Sequence, residues 1–391
     1  MRDPRLNRLA DVLVQYCTAV KKGDLVTIVG EPHSMPAVEA IFEAVLRAGG
    51  HPSFHARSES LIELKLRHGS DEQIRHICPF EESRLARCDV LMVLTCQNNT
   101  RYLGRMAPEK AAMFRAARRG LMTMSLNRKA AGESRYVLTE IPGNAAAQDA
   151  EMSLSDYEDW VFHAGMLHLP DPVAAWRDQR GKQEKARAYF QGKRELRFQA
   201  PPCPDSQGRR RHDGTDLTVN VSDRTWINHA GAENFPDGEV ETGPREVDGI
   251  VNFTFPSIYH GKEVEGVRLR FRAGRVVEAS ATKNEDYLIR MLDQDEGARI
   301  AGEIALGTNY HLKGFTKNAF FDEKVGGTFH LAVGAGYPES GNTNISALHW
   351  DLVCDLRPGG AFPGSPGGTI HADGELVQQN GKFVFEGWPA E

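Results

Sequence analysis

The sequence predicts an α/β domain built on a parallel sheet, followed by a mixed, β-rich (α+β) domain that carries metal-binding residues. Three observations predict it. Strand-like and helix-like segments alternate through the first half. Short runs of β-formers between Gly-containing turns fill the second half. Two imidazoles, a phenol and a carboxylate crowd into "FHLAVGAGYPESGNTNISALHWDL", residues 329–352. A chain of 391 residues is long enough for two such domains.

In the first half, "DLVTIVG" is a short apolar strand closed by Gly30. "SMPAVEAIFEAVLRAGG" then has Ser34 at an N-cap position, apolar residues at helical spacing and a Gly49-Gly50 stop. "HPSFHA" and "CDVLMVLTC" follow as strands, then a helix around "PEKAAMFRAARRG" and a further strand at "LMTMSL". No GxGxxG opens a helix and no GxxxxGK[ST] occurs, so this half is not expected to be a nucleotide engine. Residues 154–198 read as long and helical, completing a domain at 1–198. The breaker-rich "APPCPDSQGRRRHDG" assigns 199–214 to a linker.

The second domain, 215–391, reads as antiparallel and barrel-like or sandwich-like. Its strands are "TDLTVNV", "GIVNFTF", "VRLRFRAGRVVEASA", "TFHLAVG", "ISALHWDLVCDL" and "KFVFEG". One helix, "EDYLIRMLDQDEGARIAGEIALG", is expected to interrupt them.

Composition narrows the function. The net charge of -6 divides unevenly: residues 1–200 hold 29 Lys+Arg against 25 Asp+Glu, and 201–391 hold 18 against 28. An acidic second half argues against nucleic acid and suits a cation or amine. The basic run "GRRRH", 208–212, reads as a solvated loop tip. Cys17, Cys78, Cys88, Cys96, Cys203 and Cys354 form no CxxC pair and read as reduced structural thiols. The absence of an apolar run of membrane length and of a signal peptide makes no membrane partner and a cytoplasmic location the expectation.

The chemistry begins with "HWD". Side chains alternate along a strand, so His349 and Asp351 share a face about 7 Å apart at Cα, with Trp350 opposite. By itself this spacing also suits a structural His–Asp hydrogen bond. A second strand histidine, His330, lies across a Gly/Asn-rich loop, and histidine is the commonest metal ligand. Tyr337 ends the small-residue run "GAGY" and can donate to an oxyanion or cap a hairpin. Carboxylates must complete such a site. Glu303 lies among apolar residues near the end of the expected helix, and Glu296 sits two turns earlier on a similar face. Glu239 and Glu241 share a strand face, and spacing does not choose between them. Two glutamates, two histidines and an aspartate exceed what one catalytic zinc needs and suit two adjacent divalent ions.

The stretches "GTDLTVNV", "NFPDGEVETGP", "DEGARIAGEIALG" and "FFDEKVGGTFHLAVGAGYPESGNTNISALHWD" resemble the aminopeptidase T-like family of two-metal aminopeptidases. The resemblance implies metal ligands at Glu239, Glu303, His330, His349 and Asp351, and an active-site tyrosine at Tyr337. It implies two divalent ions (Zn, Co, Mn or Mg), short peptide substrates and a homodimer whose active sites face an enclosed space. It departs from the family at Glu241, where many members have an aromatic. The alternative is a mononuclear Fe(II) ring-cleaving dioxygenase of the related dihydroxypyridine type; a third reading is a non-catalytic binding module.

Overall fold

The computed structural model describes residues 3–204, 210–362 and 364–389. The chain divides into two compact units, one of residues 1–177 with 231–236, the other of 178–230 with 237–391. Each is built around its own apolar cluster.

The first unit holds a five-stranded, all-parallel sheet. Its order is Asn234–Phe235, Arg135–Glu140, Val90–Thr95, Leu25–Gly30 and His51–Ala56. Parallel pairing requires crossovers, and helices supply them. Met35–Arg47 buries Ala37, Val38, Ile41, Ala44 and Val45 at the expected helical spacing. Its stop is at Gly49, whose φ of +83° only glycine adopts without strain. Ser34 takes the N-cap position, but its hydroxyl donates to Glu31 O and accepts no helix N–H.

One expected strand is absent: "LMTMSL" continues the helix Pro108–Ala130. Gly120 does not break that helix, and Leu and Met are good helix formers. The fourth strand is instead Arg135–Glu140.

Among its described residues the second unit contains two large antiparallel sheets and two two-stranded ribbons. The larger has eight strands, in the order Arg275–Ser280, Arg268–Arg272, Glu246–Asn252, Thr215–Asn220, Glu195–Ala200, Thr369–Ala372, Glu375–Gln379 and Lys382–Phe383. The smaller has five: His349–Asp355, Thr328–Gly334, Ala301–Gly307, Glu239–Thr242 and Ile227–His229. Their apolar faces meet in one core, where the rings of Phe198 and Phe329 lie 4.3 Å apart. This sandwich-like pairing buries one face of the five-stranded sheet and leaves the other for chemistry.

The linker drawn at 199–214 differs from the observed division. Glu195–Ala200 pairs with Thr215–Asn220, so the breaker-rich segment connects two neighbouring strands of one sheet. The boundary falls earlier, at 177/178, inside the helix Pro172–Phe190. That helix ends before Gly192, at φ +93°, and the helical reading of "ELRF" is replaced by strand. The first two residues and all side chains of the 208–212 basic run lie outside the described residues.

The expected helix 285–307 is likewise divided. Only Glu285–Leu292 is helical, and Glu303 lies on the strand Ala301–Gly307. A Cβ on Gly302 would stand 2.3 Å from Ala335 O, and one on Gly297 would stand 2.1 Å from Ile345 O. The backbone approaches the 335–345 loop too closely at both for any other residue. Every side chain of this central strand is buried, so its apolar run carries no period to separate strand from helix.

Candidate metal centre

Register brings the site together. His349 faces Gly334 and Asp351 faces Ala332; Ala332 and His330 in turn face Glu303 and Ala305; Glu241 and Glu239 face Ala305 and Gly307; and His229 faces Glu239. Directly paired residues share a sheet face. His349, Asp351, His330, Glu303, Glu241, Glu239 and His229 therefore all project from one side. Ala332, Ala305, Gly307 and Gly334 lie between them and leave that side roomy. Trp350, Leu352, Phe329, Leu331, Ile304 and Val240 fill the opposite side and belong to the core. Trp350 faces away, as expected, and its indole N–H donates to Ser257 Oγ at 3.0 Å.

Both strand histidines present Nε2 to the site. His349 Nδ1 donates to Ala335 O at 2.9 Å, and His330 Nδ1 donates to Glu323 O at 3.2 Å. A backbone carbonyl on Nδ1 fixes the tautomer and the ring plane, an arrangement that suits a metal ligand. Glu303 spans the two rings, with Oε1 at 3.1 Å from His330 Nε2 and Oε2 at 3.5 Å from His349 Nε2. Asp351 Oδ1 also lies between them, at 3.3 Å from His349 Nε2 and 3.9 Å from His330 Nε2. Glu239 Oε2 stands 3.8 Å from the far side of His330.

On this face, two groups of potential ligands have their donor atoms within 4.8 Å of one another: Glu303, His349 and Asp351, and Glu323, His330 and Asp351. They share Asp351. Glu239 belongs to neither and borders the second through His330. Glu239 Oε2 and Asp351 Oδ1 are buried without a hydrogen-bond partner. An orphaned buried carboxylate oxygen is costly unless a cation faces it. The donor set thus fits divalent metal.

Charge supports the same fit. Five carboxylates (Glu239, Glu241, Glu303, Glu323 and Asp351) gather at this site, and one fully buried lysine, Lys324, pairs with Glu323 and stands 3.8 Å from Glu239. Burial alone would lower the pKa values of His330 and His349. Glu303 and Glu239 beside the first and Asp351 beside the second outweigh it, pushing them up to about 10 and about 11. Burial also pushes Glu239 up, to about 8. Burial opposes ionisation of Asp351 too, but the imidazoles of His349 and His330 hold it well below the usual carboxylate range.

Tyr337 is 41% exposed at the rim, its hydroxyl 3.4 Å from His349 Nε2. Burial of the hydroxyl and then the nearby Glu303 and Asp351 push its pKa up, so the phenol keeps its proton as a donor.

Of the two glutamates left open in sequence, Glu241 joins the ligand face, and Glu296 lies in an exposed turn away from it. Glu323, Lys324 and His229 were missed. The run "DEK" before Gly-Gly reads as a solvated turn, yet Asp322 and Lys324 are buried. The available signal was the apolar flank, Phe320-Phe321 before it and Val325 after it.

Comparison with known proteins points to a metalloprotease. The sequence profile of the Peptidase M29 family, described as thermophilic metalloprotease (M29), matches residues 2–376. Aminopeptidase 2 of Geobacillus stearothermophilus is 25% identical, with 98% of each chain covered. Aminopeptidase T of Thermus aquaticus is 34% identical over 46% of this chain and 45% of its own. The solved structure titled wild-type AmpT from Thermus thermophilus superposes with a TM-score of 0.79 at 22% identity, covering 98% of this chain and 99% of that one. The dioxygenase alternative gains no support from these relatives and is set aside.

Proposed function

This chain belongs to the M29 family of metalloproteases, and from that premise we propose that it is a two-metal aminopeptidase that releases N-terminal residues from short peptides. The observation that carries the proposal is the pair of ligand groups meeting at Asp351. Glu303, His349 and Asp351 would hold one ion. His330 and Asp351 would hold the other, with Glu239 and Glu323 as its further oxygen donors. When bound, the ions supply an acidified water and a polarised scissile carbonyl.

The chain's own groups do the rest. Backbone carbonyls on both Nδ1 atoms keep the imidazoles aimed. Tyr337, a protonated phenol at the rim, donates to the oxyanion that forms as the carbonyl is attacked. Glu303 and Glu323 are the carboxylates placed to accept the proton that the water gives up. The proposal includes a homodimer and a cytoplasmic location; among the described residues no helix is long and apolar enough to cross a membrane.

The experiment is an assay of leucyl and other aminoacyl chromogenic substrates before and after chelation, with Zn, Co, Mn or Mg added back. Activity is expected to vanish with chelator and return with metal. Tyr337→Phe is expected to reduce kcat/KM by about a hundredfold to a thousandfold, the effect of removing one oxyanion donor, with metal content unchanged. Unaltered turnover in that variant would remove Tyr337 from the chemistry.

A further inference from the structure

Glu241 is on the ligand face but in neither ligand group. It is 2% exposed, and its Oε1 accepts from His229 Nε2 at 3.1 Å. Its Oε2 is buried with no hydrogen-bond partner. Ala305 lies directly across the sheet from it, and Glu303 is the diagonal neighbour one step further along that strand. Only a methyl group therefore separates Glu241 laterally from His330, which faces Ala305 from the other side.

From this placement we propose that Glu241, anchored by His229, is an ammonium subsite beside the metal centre, where it holds the substrate's α-amine or a basic side chain. A zinc ion takes three or more protein donors, and here a single free oxygen is offered. An alkylammonium needs no more, since each N–H donates to one acceptor, and a carboxylate gives it a charge-assisted bond. His229 fixes the carboxylate through one oxygen and leaves the other without a partner.

The subsite deepens the aminopeptidase reading and rests on it for the identity of the amine, so binding and hydrolysis are measured separately. Metal-loaded protein is titrated calorimetrically with three non-hydrolysable probes: leucinol, N-acetyl-leucinol and Nα-acetyl-lysine methylamide. Glu241→Gln is expected to weaken an ammonium probe by about tenfold to a hundredfold, the range of a charged hydrogen bond, and to leave N-acetyl-leucinol unchanged. Loss on leucinol assigns the subsite to the α-amine; loss on the lysine derivative assigns it to a side chain. Unchanged binding of both ammonium probes overturns the subsite. So does loss of one metal ion per chain, which would make Glu241 a ligand. Glu241-dependent amine binding in a wild-type protein that hydrolyses no aminoacyl substrate supports the subsite and sinks the peptidase reading. Should Glu241→Gln not fold, His229→Asn releases Oε1 while keeping the carboxylate. A loss of about threefold or more on the same probe is then expected, and no change overturns the proposal.

Discussion

Asp351→Asn is expected to lower kcat/KM by on the order of a thousandfold or more and to reduce bound metal from two ions per chain to one or none. The substitution keeps the shape and removes the charge. Its leverage comes from position: Asp351 is the one residue common to both ligand groups. Its Oδ1 lies 3.3 Å from His349 Nε2 and 3.9 Å from His330 Nε2. Loss of any ligand outside this overlap disturbs one group directly; loss of Asp351 disturbs both. Plasma emission spectrometry on dialysed protein, with the chromogenic assay beside it, reads the outcome. Two retained ions with activity within tenfold of wild type would show that Asp351 does not join the two groups.

Lys324→Met is expected to have the largest effect on stability. Lys324 Nζ is fully buried, paired with Glu323, and 3.8 Å from Glu239 Oε1. Removing one member of a buried ion pair costs about 3–5 kcal/mol, because the partner charge is left uncompensated. In a unit of this size that corresponds to roughly 6–20 °C in Tm. The loss should be larger in metal-free protein than in metal-loaded protein, since bound ions supply positive charge to the same glutamates. Lys324→Arg keeps the charge and should lose less. Calorimetric scans with and without chelator decide it, and equal Tm values for wild type and Lys324→Met in the metal-free state would contradict the role.

How much of this was legible in sequence depended on how locally each feature is encoded. His349, Trp350 and Asp351 were assigned to the correct faces because strand alternation is a property of consecutive residues. The Gly49 stop was legible for the same reason. Glu303 stands out in sequence as a carboxylate in apolar surroundings, but the sequence around it reads as helix where the structure has strand. In the middle of a sheet both faces are buried, and the two-residue period disappears. Gly297 and Gly302, which follow the nearby helix, pack closely against the 335–345 loop further along the chain. Whether Glu241 and Glu296 join the site also required the fold, since pairing with Ala305 places Glu241 on the face while a turn carries Glu296 outward. Glu323 and Lys324 were hidden by composition, because a run of charges normally marks solvent. Their burial follows from mutual compensation, which no single position reveals.

The most direct measurement of the central claim is a metal titration of chelator-stripped protein near pH 7, reading ions bound and protons released together. In metal-free protein, His330 and His349 have pKa values raised to about 10 and about 11. Both are therefore protonated at neutral pH and must give up a proton before Nε2 can bind metal. Binding should saturate at two ions per chain, release at least two protons per chain, and tighten as pH rises. Saturation at a single ion, or binding without proton release and with no dependence on pH, would contradict a two-metal centre built on these histidines.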